Sequence, residues 1–170
     1  LEYLNDSQYF HKHKGTLFEV EALDEDMFFD ADTRNYKRKL NIKDNVSNKS
    51  VDSIRDEDFG DVFVYSGGSI MPLIDTLYQS KINYYVNTHE QNCGHAATGY
   101  AKSTGKTGVA IVTSGPGITN MITPLLDAKN DSTPLIVFSG QVSQNVQGTN
   151  AFQEAPAIEL TKHVTKWNYQ

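Results

Sequence analysis

Four short apolar runs, over 61–65, 84–88, 109–112 and 134–138, alternate with three segments of helical spacing over 70–80, 90–104 and 118–129. Strands that alternate with helices at this spacing predict a parallel sheet with right-handed crossovers. The expected fold class is therefore α/β, a three-layer sandwich with a mainly parallel sheet and helices on both faces. Val109-Ala110-Ile111-Val112 has no polar alternation, the mark of a strand buried on both faces. Ile70, Leu73, Ile74 and Leu77 fall on one face of the first helix. The segment 159–169 is expected to add a short helix and a further strand.

The second strand, ending in Tyr84-Tyr85-Val86 and read as buried, runs into His89-Glu90-Gln91 at the start of a helix rich in small residues. In open parallel sheets the carboxyl ends of the strands border the ligand crevice, so Glu90 is expected to face a bound molecule. An acid in the first turn of a helix is also favoured by the helix dipole with no further role. Gly94, Ala96, Ala97, Gly99 and Ala101 allow close approach of neighbours, and Gly94, Ala97 and Ala101 are read as a flat surface for self-association. Gly67-Gly68 opens a helix after a strand, but neither a Gly-Lys-Ser/Thr ending nor a full Gly-x-Gly-x-x-Gly spacing accompanies it, so it is not read as a phosphate cradle.

Five segments arrive in order, each after a predicted strand: Tyr65-Ser66-Gly67-Gly68-Ser69-Ile70-Met71-Pro72, His89-Glu90-Gln91, Thr113-Ser114-Gly115-Pro116-Gly117-Ile118-Thr119-Asn120, Gly140-Gln141-Val142 and Gly148-Thr149-Asn150-Ala151-Phe152-Gln153-Glu154. Together they resemble the pyrimidine-binding domain of the thiamine-diphosphate enzymes, most closely that of the acetolactate synthase (acetohydroxyacid synthase) catalytic subunits, over 60–169. The resemblance implies catalytic roles for Glu90, as the carboxylate against the N1′ nitrogen of the aminopyrimidine, and for Gln153, beside the reacting groups. It implies a cofactor-binding surface of Glu90, Tyr65, Ser66, Thr113, Pro116 and Asn120, with Gly68, Ser69, Phe152 and Ser143 on the substrate side. Ser143 lies in the stretch that binds inhibitory herbicides in the family. Burial of Glu90 would favour a shared proton and the helix N-terminus would oppose it. Ser66 stands where the family has proline, Ser69 where it has alanine, and Asn150 where it has aspartate.

The resemblance further implies thiamine diphosphate held here by its aminopyrimidine end only, with magnesium and FAD bound elsewhere in the full enzyme. It implies a homodimer, a diphosphate-binding domain on another segment or chain, and pyruvate with a second 2-oxo acid as substrates in branched-chain amino-acid biosynthesis. No Gly-Asp-Gly motif is present, so the chain reads as a fragment or split piece, not active by itself. A non-catalytic descendant with a binding or structural role, and another thiamine-diphosphate carboligase or decarboxylase, are the alternative readings.

Residues 1–58 read as a polar, partly irregular extension ahead of a domain over 59–170. Of the acidic residues 14 lie in 1–60 and 7 in 61–170, against 9 and 6 basic, so the net charge of −6 belongs mainly to the front. The segment 17–23 alternates as a strand, 35–40 is a basic turn or short helix, and 44–50 is a linker. The stretch 51–59, where the family has an amphipathic helix, is too charged and short to bury a helical face. His11 and His13 have no second ligand pair and are read as surface residues; no metal site is expected. With no basic stripe and no run of about 18 apolar residues, neither nucleic acid nor a membrane is an expected partner. A single cysteine, Cys93, excludes an intramolecular disulfide. No targeting segment is visible, and the compartment stays open between cytoplasmic and organellar.

Overall fold

The computed structural model describes residues 59–170 and the backbone of one strand, β1 (Thr16–Val20), from the preceding stretch. The histidine pair, the basic turn, the linker and 51–58 lie outside the described residues. The other elements are β2 (Val62–Val64), a 3₁₀ turn (Gly68–Ile70), α1 (Met71–Gln79), β3 (Tyr84–Val86), α2 (Glu90–Thr104) and β4 (Gly108–Val112). They continue with α3 (Pro116–Asn120), α4 (Ile122–Asn130), β5 (Leu135–Gly140), a 3₁₀ turn (Gln144–Val146), α5 (Ala157–Thr161) and β6 (Trp167–Tyr169). All six strands pair in parallel, in the order β3-β2-β4-β5-β1-β6. The sheet thus takes a strand from ahead of residue 59, between β5 and β6.

Strict alternation along the central strands makes a core on each face. Val109, Ile111, Ile136 and Phe138 meet Ile70 from the 3₁₀ turn and Leu73 and Leu77 from α1, with Phe59 closing the cluster. Ala110, Val112, Leu135 and Val137 meet Cys93 and Ala97 of α2, Ile118 of α3, and Leu125 and Ala128 of α4. Every residue of β4 and β5 is buried, as the unbroken apolar run over 109–112 predicts. Each fully buried Leu, Ile, Val or Phe contributes roughly 1.5–3 kcal/mol relative to exposure, so these two strands carry much of the sheet's stability.

Three expectations are corrected. Tyr84–Val86 is an edge strand, with Tyr84 half-buried against the α1-side core but Tyr85 52% and Val86 67% exposed, because β2 pairs with β4 on its other side and no described strand pairs with the far side of β3. The helix expected over 118–129 is split at Met121 into α3 and α4. Pro124 has no N–H to give to the Asn120 carbonyl one turn back, and its ring crowds that carbonyl, so a continuous helix would fail there. The small-residue stripe of α2 is not a surface: Ala97 and Ala101 are buried, and a side chain at Gly94 would run into Pro124 and Met121. Gly108 likewise leaves room for the Ala97 carbonyl, and these close approaches let α2 lie directly on β4.

Candidate functional site

Because the strands are parallel and in register, with Val64 opposite both Val86 and Ile111, and Val112 opposite Ser139, their carboxyl ends form one edge. Tyr65, the turn before Glu90, Thr113 and Gly140 all leave the sheet there. The chain goes from β2 outward to β3, then back across to β4 and on to β5, so the connections diverge between β2 and β4. A divergence of this kind opens a crevice at the carboxyl edge.

That crevice is laced by side chains from separate turns. Ser69 Oγ accepts the Ser114 N–H at 3.0 Å and lies 3.0 Å from Thr113 Oγ1. A side chain at Gly67 would overlap Thr113, and one at Gly140 would overlap Ser69, so both glycines are needed for the turns to close on each other. Ser139 Oγ donates to the Thr113 carbonyl at 3.3 Å.

Glu90 is the first residue of α2 and is only 5% exposed. Asn120, the last residue of α3, donates Nδ2–H to Glu90 Oε2 at 2.9 Å. The break at Met121 thus falls immediately after Asn120, where α3 ends against the start of α2. His89 is the N-cap of α2, its Nδ1 accepting the Gln91 N–H at 3.1 Å. Burial pushes the Cys93 thiol up to about 12, and the neighbouring Glu90 charge adds to the effect.

Other residues from the sequence reading are dispersed around this pair. Tyr65 packs against the α2-side core and its N–H donates to the Ile111 carbonyl at 3.1 Å. Ser66 is exposed and Gly68 half-buried at the start of the 3₁₀ turn. Pro116, at the start of α3, is exposed. Ser143 is buried, its carbonyl accepting the Val146 N–H, whereas Phe152 is 79% exposed. Gln153 has a left-handed backbone, φ 59°, and its carbonyl occupies the space where Gly115 would otherwise carry a side chain. Asn150 is also left-handed, φ 59°, a conformation that Asn and Asp tolerate better than most residues. A cleft of about 530 Å³ beside this loop is lined by Gln141, Glu154, Ile158, Glu159 and Gln170 among others, and neither Glu90 nor Asn120 borders it.

Two features escaped the sequence reading. Ser69 bridges two turns, and Glu154 binds its own loop through the N–H groups of Gly148 and Ala151. A serine in place of a small apolar residue signals the first only weakly; a carboxylate just after a loop rich in Gly and Asn was an available sign of the second. Among the described residues no group of three or more His, Cys, Asp or Glu could hold a metal, and no helix is long and apolar enough to cross a membrane.

The family profile described as "Thiamine pyrophosphate enzyme, N-terminal TPP binding domain" matches residues 44–160. The mitochondrial acetolactate synthase catalytic subunit of Saccharomyces cerevisiae is 50% identical over 108 residues, 63% of this chain and 16% of that protein. The acetolactate synthase large subunit of Corynebacterium glutamicum is 50% identical over 109 residues, 64% of this chain and 17% of its own. For the isozyme 2 large subunit of Escherichia coli the figures are 47% over 119 residues, 70% and 22%. The matches thus span less than a quarter of these curated relatives.

Proposed function

Since the chain belongs to the N-terminal TPP-binding domains of the thiamine pyrophosphate enzymes, we propose that it is the pyrimidine-binding part of an acetolactate synthase-like enzyme, with Glu90 holding the proton at N1′ of the aminopyrimidine. The supporting observation is the state of that carboxylate. Glu90 is buried, Asn120 occupies Oε2, and among the described residues no hydrogen bond reaches Oε1. A buried acceptor without a partner costs about 1–3 kcal/mol, more when charged, and a ring N–H is the kind of donor that would remove the cost.

On this reading Glu90 and Asn120 take the pyrimidine end of thiamine diphosphate, and among the described residues no group of three or more His, Cys, Asp or Glu could hold a metal at its charged end. Bound thiamine diphosphate supplies the carbanion chemistry that lets a 2-oxo acid lose carbon dioxide and join a second carbonyl compound. Glu90 then holds or gives up one proton and Asn120 keeps its carboxylate turned into the crevice. Tyr65, Ser66, Thr113 and Pro116 border the ring, while Gly68, Ser69, Ser143, Phe152 and Gln153 face the reacting groups, Gln153 as a second catalytic group. The domain is taken as 59–170 together with β1. Pyruvate and a second 2-oxo acid are the proposed substrates, in branched-chain amino-acid synthesis. Magnesium, FAD and the diphosphate end belong to other segments or to a second copy, and the working unit is a dimer.

Glu90→Gln keeps the size and the Asn120 contact while removing the exchangeable acid. In an assembly completed with a diphosphate-binding partner, carboligation of pyruvate should fall by about 10²–10⁴-fold with the circular dichroism spectrum unchanged. Calorimetric titration of thiamine diphosphate with magnesium should show weaker binding to the variant assembly. Full activity in the variant would sink the assignment. A well-formed assembly with no activity of any kind would instead favour a non-catalytic binding role.

A further inference from the structure

The loop from Gly148 to Glu154 holds its shape at a conformational cost. Gly148, Asn150 and Gln153 all have left-handed backbones, at φ 84°, 59° and 59°. For the two residues with a side chain that conformation is unfavourable, less so for Asn150 than for Gln153. The loop belongs to no strand or helix that could enforce it.

Glu154 supplies what the loop lacks. Its Oε1 accepts the Gly148 N–H at 2.5 Å and its Oε2 the Ala151 N–H at 3.0 Å, so both carboxylate oxygens are spent on the backbone six and three residues earlier. Hydrogen bonds to an ionised acceptor are roughly twice as strong as neutral ones. The Gly148 N–H above all holds the Glu154 carboxyl below its ordinary range; burial opposes it, and the N–H groups of Ala151, Asn150 and Thr149 add smaller downward contributions. Glu159 is the other carboxylate lining the same cleft.

We propose that Glu154 is a positioning residue, a backbone staple that sets the 148–153 loop and so presses the Gln153 main chain against Gly115 and presents Phe152 outward. The consequence reaches the crevice because Gly115 begins the turn into α3, whose last residue holds Glu90. This role rests on the reading of Phe152 and Gln153 as substrate-side residues, while the staple itself does not.

The test has two independent arms. Amide hydrogen exchange on the protein alone should show protection at Gly148 and Ala151 falling about tenfold or more in Glu154→Gln, with amides of α2 and β4 unchanged. In the wild-type protein the same loss should appear as pH falls through the Glu154 pKa, and Glu154→Gln should lack that pH dependence. Unchanged protection at Gly148 and Ala151 overturns the staple. If Glu154→Gln fails to fold, the wild-type pH series decides: protection at Gly148 and Ala151 should outlast the ordinary carboxylate range and fall below it, and protection that never falls while α2 and β4 stay protected overturns the staple equally. In the completed assembly, Glu154→Gln should raise KM for the 2-oxo acid about tenfold with a smaller change in kcat, and Glu154→Asp should restore part of the loss. An unchanged KM beside lost protection refutes the link to the substrate. Full activity in Glu90→Gln would refute the functional reading and leave the exchange result standing.

Discussion

Asn120 Nδ2 donates to Glu90 Oε2 at 2.9 Å, joining the end of α3 to the start of α2 across thirty residues of chain. The bond ties together the two turns that flank the crevice. It also gives a buried carboxylate its one hydrogen-bonded partner among the described residues.

Asn120→Ala removes that donor, and should destabilise the protein by about 1–3 kcal/mol in urea denaturation at pH 7. Asn120→Asp sets two carboxylates against each other in a buried site and should be worse at pH 7. Its deficit should shrink as pH is lowered, because one proton shared by the pair removes the repulsion. A pH-independent deficit would show that the two side chains do not meet.

Gly94→Ala places a methyl group against Pro124 and Met121. Overpacking of that kind costs about 1–3 kcal/mol, more than the up to about 1 kcal/mol gained in helix propensity. Gly99→Ala, on the same helix and open to solvent, should be stabilising by about 0.5–1 kcal/mol. Opposite signs in chemical denaturation are the expected result, and equal effects would mean that α2 does not lie where it is described.

Gly115→Ala and Gly148→Ala separate strain from crowding. Both glycines have positive φ, 57° and 84°, but only Gly115 has a backbone, that of Gln153, in the way of a side chain. Gly148→Ala should cost about 1–2 kcal/mol from conformation alone. Gly115→Ala should cost more and should also perturb the Gly148 to Gln153 amides in an NMR spectrum.

Cys93, with its thiol raised to about 12 by burial and by Glu90, is protonated well above neutral pH. Alkylation by a thiol reagent at pH 8 should therefore track unfolding and be accelerated by urea. The raised value has a sign for stability. The folded state keeps its proton above the ordinary 9.0 while the unfolded state loses it, so this contribution is present below about 9 and lost as pH rises toward 12. Cys93→Ser should flatten that part of the stability curve.

The alternation of apolar runs with helical segments was enough, by itself, to determine a parallel α/β sheet with Glu90 at its carboxyl edge. Both follow from periodicity and chain direction, which are local properties. The exact span of α2 was legible for the same reason, with a capping residue before it and Gly105, at φ 75°, after it. The split at Met121 was also written in the chain, in the missing N–H of Pro124. Which faces meet was not. Val86 is as apolar as Val64, yet one lies at an open edge and the other in the core, because strand order is chosen by the whole sheet. Gly94 and Gly99 are chemically identical and five residues apart, but helix rotation turns one onto Pro124 and the other into solvent. The bonds from Asn120 to Glu90 and from Ser69 to Ser114 span thirty and forty-five residues. Nothing in the spacing of such residues specifies contact; they meet because the parallel crossovers return every turn to the same edge of the sheet.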